Sequence, residues 1–500
     1  MAEGEKETNP LKPVTGGALR GSQERLHTLQ GHRRLVFTSA QNNTDVHHDF
    51  LSSLESYCEH EEAKLVIAPF SYNKNAWRKL SDLDETTPDD GNSLGGFGAK
   101  GDLWYHPRLH PHLDDTNYVI DKTSIRFSGA LDILPTAVNP ISGLVNYNQG
   151  RSHIIPHPQV RQQAIPSAMY AVPEFVWTTG CCTLKNYIQR KAGQKAEFHH
   201  TFAALVVEVG DAGEWWARHL IADNSGRFTD LGRMYHPDGR VENSGIRALS
   251  YEAHIEKGDS SLYAILANII TLLQPDHVFV HDLVDFEVRN HHNIKDPDFR
   301  YRQWHRGDES VDLMFDMAGH HVNDIMGLFD GGYHVCRSNH DMAVERWLRE
   351  ADWKNDPVNM ETFLKLKLRQ IELLKTHQDP NMLGHMMLDR LDAARQERFH
   401  LYDQNGSLKI DNVELAVHGH VGINGRPATI NSMQNIGSKI TYGHTHTAGR
   451  AFGVVTLGVL ARMDMGYNPG YSTWSPTICL QDILGKRQLV TFRPQGYRLW

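Results

Sequence analysis

Short β-branched apolar runs alternate with stretches of helical period along this chain, and each switch of period marks an element boundary. RRLVFTSAQ (33–41) reads as a strand, DVHHDFLSSLESYCEHEEA as an amphipathic helix and KLVIAPF (64–70) as a second strand. Strand, helix and strand in so few residues predict a βαβ unit and hence a parallel sheet. FAALVVEVG (202–210) predicts a further strand, with turn-rich sequence such as PDDGNSLGGFGAKGD (88–102) in between. This organisation predicts a polar, flexible arm over 1–31 and an N-terminal α/β domain with large loops over 32–240.

A second α/β pattern opens near residue 245. RALSYEAH is followed by the apolar helix LYAILANIITLL (262–273), the strand DHVFVHDLVDF, a helix-rich stretch and the strand GGYHVCRSNHD. Two helices follow, MAVERWLREADW and NMETFLKLKLRQIELLKTHQ, and then strands VELAVHGH, SKITYGHTH, GVVTLGVL and KRQLVTFR. No internal repeat of fixed period interrupts this order.

Composition narrows the class. The chain is 40% hydrophobic over 500 residues, ordinary for a globular protein. No window approaches eighteen consecutive apolar residues, so no membrane span is expected. MAEGEKETNPLKPVTGG lacks the apolar core of a secretion signal, which predicts a cytoplasmic protein. Cys58, Cys181, Cys182, Cys336 and Cys479 are odd in number and lack CxxC spacing, against both a disulfide framework and a cysteine zinc site. The adjacent Cys181 and Cys182 read as small buried residues. A formal net charge of -9 argues against a simple nucleic-acid-binding module. It leaves a nuclease open, because divalent metals can supply the positive charge that receives a phosphate.

The chemistry gathers where predicted strands end. Glu252 and His254, Asp282 and Asp285, Asn339 with His340 and Asp341, His418 and His420, and His444 and His446 each follow a strand. In α/β folds the carboxyl ends of neighbouring strands converge on one crevice. Alone, the HxH of His444 and His446 is a weak signal; alternate strand positions would point both imidazoles the same way if the extended backbone persisted past Tyr442. Five such strand ends together favour a metal site. Carboxylate, imidazole and amide donors without thiolate suit manganese, iron or zinc, and a bridging carboxylate can hold two such ions about 3.5 to 4 Å apart for phosphoester hydrolysis. His47, His48, His199 and His200 read as polar loop residues, with a second active site or a DNA-contacting surface as the alternative.

The order ExH, HDxxD, SNHD, HGH and GHTH resembles the signature of calcineurin-like dinuclear metallophosphoesterases, over roughly 245–490 of a domain expected at 245–500. The resemblance implies a β-sandwich flanked by helices, two divalent metal ions (Mn2+, with Zn2+, Fe2+ or Mg2+ as alternatives) and a metal-activated water. It implies that Asp282 bridges the ions, with Glu252, His254 and His446 at one and Asn339, His418 and His444 at the other. His340 would contact phosphate and assist the leaving group, with Asp341 orienting it. Asp285 would be structural or support a ligand, and His418 is favoured over His420 for the single ligand role there. Departures are Glu252 for the usual Asp, His281 for the Gly before Asp282, and Ser338 for the Gly before Asn339. His281, Arg289, His291, His292, His420, Arg426 and Arg450 are candidates for supporting or phosphate-contacting roles.

Across the full length, LVFTSAQNNTDVH, ILPTAVNPISGL, KAGQKAEFHHT, VHDLVDFEVRNHHN, HGHVGINGRPATI and YNPGYSTW are similar to phage-encoded, pre-early metallophosphoesterases that degrade host DNA. That resemblance implies a manganese-dependent DNase, a homo-oligomer, acting in the host cytoplasm. The alternatives are a metallophosphoesterase acting on nucleotides, RNA ends or another phosphoester, and a non-catalytic binding protein with a degraded site.

Overall fold

The computed structural model describes residues 32–72, 104–120, 122–148 and 150–498, with the backbone of Arg25–His27, Ala76–Trp77 and Gly101–Asp102. Most of the polar arm and of the 88–102 stretch lies outside the described residues. Arg25–His27 forms a short strand parallel to Asn117–Ile120. The described residues divide into two compact units. One runs to Ile165 and takes in Glu174–Glu242 and Arg498; the other is Pro166–Pro173 with Asn243–Tyr497.

In the first unit, Arg34–Gln41 and Ala63–Phe70 pair in parallel around the helix His48–His60. Ala203–Val209 and Trp215–Ile221 extend that sheet antiparallel. The helix lays Phe50, Leu51, Leu54 and Tyr57 onto the sheet beside Val36, Leu65, Ile67 and Val206. Cys182 lies in the same core, and Cys181 is buried and unpaired. Under the sheet, Arg218 is held at 2.6 Å by both Asp230 and Glu208, and Tyr57 donates to Asp230 at 2.9 Å.

The second unit is a mixed α/β sandwich. Its first sheet runs Phe399–Tyr402, Gly332–Cys336, His277–His281, Ile246–Glu252, Thr477–Asp482 and Arg487–Thr491. The first four of these strands are parallel, so their carboxyl ends share one edge. A second layer contains Lys409–Ile410, Val413–Glu414, Lys439–Tyr442, Val454–Thr456 and Gly449–Ala451. Ala248, Phe279 and Cys336 of the first sheet pack on Ile410, Val413 and Leu415 of the second. Val455 and Leu457 likewise meet Cys479 and Leu489.

Strand parity then places the chemistry. Glu252 shares a face with Ala248, and His281 with Phe279, so both point into the sandwich. Tyr251, of opposite parity, turns to the helical side, where its hydroxyl meets His321 of helix Val311–Met326 and Tyr333, each at 2.9 Å. Several strands are shorter than expected. DHVFVHDLVDF is extended only over His277–His281, and VELAVHGH only over Val413–Glu414. The residues beyond are loops that carry the functional side chains.

Candidate metal centre

Glu252 closes its strand, fully buried. One oxygen, Oε1, accepts the backbone N–H of His444; the other, Oε2, lies 3.5 Å from His446 Nε2. Two residues on, His254 adopts a left-handed backbone (φ 49°) that turns its ring back over the strand ends. Asp282, His444 and His446 are left-handed as well, with φ of 46°, 70° and 53°. Such conformations cost of order 1–3 kcal/mol each for non-glycine residues and cluster where function requires them. The extended geometry considered for the GHTH segment therefore stops at Tyr442. His446 turns inward to Glu252 and His254, while the His444 ring faces His418 at 5.4 Å.

Asp282 is the hub. Its Oδ2 lies 3.2 Å from His254 Nε2, 3.4 Å from His418 Nε2 and 3.6 Å from His446 Nε2. Among the described residues, no donor other than imidazole nitrogen reaches either Asp282 oxygen. Two buried triads result, His254–Asp282–His446 and Glu252–Asp282–His418, sharing Asp282. Burial works against ionising Asp282, yet the imidazoles of His418 and His254 hold it well below the usual carboxylate range. Burial and the Asp282 charge push Glu252 well above its own. Buried carboxylates in contact, with converging ring nitrogens that lack hydrogen-bond partners, are a donor set that a divalent cation completes. Glu252 Oε2 and both nitrogens of His418 are orphaned in this sense among the described residues.

The ring of His254 is oriented from behind. Its Nδ1 meets Asp285 Oδ1 at 3.2 Å, a contact that holds the ring with Nε2 directed towards Asp282 and His446. The same carboxylate oxygen lies 3.1 Å from His340 Nδ1. Burial would lower the His340 pKa, but its hydrogen bond to Asp285 and the charge of Asp282 raise it overall. Asp285 is held in turn by its backbone N–H, which donates to Glu256 Oε2 at 2.7 Å. Glu256 carries no family-like spacing and was not expected here.

This corrects the role expected for Asp341. Its carboxylate accepts the backbone N–H groups of Ser338 at 3.1 Å and Val284 at 3.3 Å, so it shapes the loops while Asp285 orients His340. A side chain three residues from Ser338 reaches that amide as a local turn does, which directs it away from the neighbouring ring. Asn339 is exposed beside His340, outside the buried triads, and lines a cavity of about 1150 Å3 with His291 and His292. His281 is fully buried with its ring 5.7 Å from His418, so it cannot touch a phosphate from solvent. His420 lies 5.3 Å from His418, and it is His418 that meets Asp282.

Two arginines expected near phosphate are committed elsewhere. Arg289 is buried, bound to Asp356 through two nitrogens at 2.6 and 2.8 Å. Arg450 is buried in the sandwich, donating to the carbonyl of Arg487. Arg426 is exposed and does not line the cavity.

In the first unit, Asp45, His48 and His106 also come together. Arg108 supplies a backbone N–H to His106 Nδ1 at 3.2 Å and a guanidinium nitrogen 3.4 Å from His48 Nδ1. Arginine only donates, so both Nδ1 atoms accept and the Nε2–H groups turn to Asp45 at 3.6 and 3.7 Å. In that tautomer the two imidazoles present N–H groups rather than lone pairs to Asp45. His47 caps its helix by accepting from Phe50 N–H at 3.2 Å, and His200 is buried against Tyr187 and Thr183.

Comparison with known proteins supplies a relative of nearly the same extent. The chain is 33% identical over 501 aligned residues to protein A1 of Escherichia phage T5, covering 97% of this chain and 86% of that protein. It belongs to the protein A1 family. No protein-family model matches the chain, and no solved structure does. The A1-family likeness spans both units, so it takes in the buried triads and the first unit alike.

Proposed function

We propose that this A1-family chain is a phage-encoded, metal-dependent phosphodiesterase of the calcineurin-like type, and that its substrate is DNA, degraded in the host cytoplasm by a homo-oligomer. The observation that carries this reading is the pair of buried triads sharing Asp282. In this reading Glu252, His254 and His446 would hold one divalent ion and His418, His444 and Asn339 a second, with Asp282 serving both; the observed triads themselves set Glu252 beside His418. Manganese suits this mixed oxygen and nitrogen donor set. Bound ions would supply Lewis acidity, offset charge on the phosphoryl oxygens and make water acidic enough to attack.

The chain's own residues do the rest. Asp285 holds the rings of His254 and His340 by Nδ1, leaving His340 Nε2 for the open cavity. The raised pKa of His340 favours the protonated ring, which donates to the leaving oxygen. Glu252, longer by one methylene than the usual Asp, reaches His444 N–H with one oxygen and His446 with the other, and so ties the GHTH loop to the first strand.

The test is incubation with linear, circular and single-stranded DNA in manganese, magnesium or zinc, alongside a bis-phosphodiester dye and an Asp282→Ala control. Metal-dependent cleavage of DNA and dye that vanishes in the control is expected. A protein that binds none of these ions and hydrolyses neither substrate would overturn the reading.

A further inference from the structure

Beside His340 and Asn339 opens the 1150 Å3 cavity, larger than the roughly 300–1,000 Å3 typical of small-ligand pockets. Its far wall is made by two helices, Ala343–Glu350 and Met360–Lys375. Arg346 and Arg349 are three residues apart and so share one helix face; Lys367, Gln370 and Leu374 share one face of the other.

The charges on this wall are unequally committed. Arg337, also in the lining, is bound to Asp379 at 3.1 Å and Glu345 at 3.3 Å. Arg346 is divided between Glu350 and His291, each at 3.0 Å. Among the described residues, Arg349 is exposed with no carboxylate partner, and Lys367 is bonded only to the neutral Gln370 at 3.1 Å. The acids of the lining are engaged in turn: Glu345 and Asp379 with Arg337, and Asp285 with His254 and His340. Two cations without acidic partners therefore face a space that ends at His340. A chain of net charge -9 that keeps uncompensated cations in a concave wall favours a polyanion there over a neutral ligand.

We propose that this cavity is the groove for a polynucleotide strand, and that Arg349 and Lys367 grip backbone phosphates flanking the one at His340. The proposal rests on the phosphodiesterase reading and adds to it the place where the strand lies and two residues that bind it. The volume, beyond that of typical small-ligand pockets, suits several linked nucleotides better than one. His292, exposed on the loop after Asn290, lines the same cavity and adds a further polar ring to it.

The experiment uses the full chain and two readouts. Binding of a fluorescent single-stranded 20-mer is followed by anisotropy in EDTA across a salt series, and hydrolysis of the bis-phosphodiester dye is followed in manganese. Arg349→Ala/Lys367→Ala is compared with Lys365→Ala/Lys375→Ala, which removes equal charge from exposed residues of the second helix that do not line the cavity. The clamp pair should weaken strand binding by about tenfold or more and flatten the log–log salt slope by roughly 1.4, about 0.7 per lost phosphate contact. Its loss on the dye should be at least several-fold smaller than its loss on the 20-mer, and the control pair should leave both near wild type. Equal losses on dye and strand, or equal weakening by the two pairs, would overturn the groove. Dye hydrolysis with wild-type strand binding by the clamp variant would also overturn it while leaving the phosphodiesterase reading intact. Absence of dye hydrolysis in any metal would count against that reading, while the anisotropy arm still decides the clamp.

Discussion

Replacing Gly443 with alanine would drive a methyl group into the Glu252 carboxylate. The added Cβ would fall inside contact distance of Glu252 Oε1, 3.0 Å from Glu252 Cδ and 3.1 Å from His281 Cβ. Both neighbours are fully buried, and Glu252 Oε1 is already the acceptor for His444 N–H, so the carboxylate cannot swing aside without losing that bond. Overpacking of this kind costs about 1–3 kcal/mol. At roughly 2–4 °C per kcal/mol for a unit of this size, melting should fall by about 2–12 °C. Manganese content should fall with it, because the displaced carboxylate belongs to a triad. Glu252→Asp draws the carboxylate back by about 1.5 Å, one carbon–carbon bond, and so should make room for the methyl. The double variant Gly443→Ala/Glu252→Asp is therefore expected to melt above the Gly443→Ala single, with a coupling of about 0.5–3 kcal/mol between neighbours. Thermal melts followed by circular dichroism on the four proteins of the cycle measure it. A Gly443→Ala protein that melts with wild type, or a penalty that Glu252→Asp leaves unchanged, would refute the placement of Glu252 against the GHTH loop.

Other expectations separate the roles around the centre. His340→Ala should keep its metal and lose most turnover, read by metal analysis beside dye hydrolysis; loss of metal would show that His340 ligates. Asp285→Asn should weaken metal binding by about 10–100-fold, as removal of a ligand's hydrogen-bond support does, and should slow turnover through His340 as well. Asp341→Ala, by contrast, should lower the melting temperature more than it changes the pH profile, because its carboxylate holds two backbone amides. In the first unit, Arg218→Met should cost about 3–5 kcal/mol in denaturant unfolding by stranding Asp230 and Glu208. Burial opposes ionising Asp230, but Arg218 holds its folded pKa below the unfolded value. Its contribution is therefore present above the unfolded carboxylate range near 4 and is lost as pH falls through the folded value. Arg218→Met should flatten that acid limb.

Much of the centre was legible because its residues sit at strand ends. Glu252 and Asp282 lie at the ends of neighbouring parallel strands, which a parallel sheet brings together whatever the intervening helix does, and His418 follows Val413–Glu414 of the second layer. The hydrophobic pattern also marked the βαβ start of the first unit, since period-2 and period-3.6 stretches are unambiguous there. Which carboxylate supports which imidazole was not legible. Asp285 and Asp341 are both near His340 in the expected motifs, and only the loop geometry after Asp282 brings Asp285 under its ring. Left-handed turns at His254, His444 and His446 have no glycine to announce them. Arg289 and Arg450 looked free to meet phosphate because sequence proximity to a motif says nothing about burial. Arg349 and Lys367 were missed for the converse reason: they belong to no motif, and only the packing of their helices brings them into the cavity that His340 lines.

The central claim is that Asp282 joins two cation sites. Metal analysis of protein reconstituted with manganese and freed of excess tests it directly, on wild type and Asp282→Ala together. Two manganese ions per wild-type chain and essentially none in the variant are predicted; no manganese on wild type, or an undiminished complement after Asp282 is removed, would contradict it.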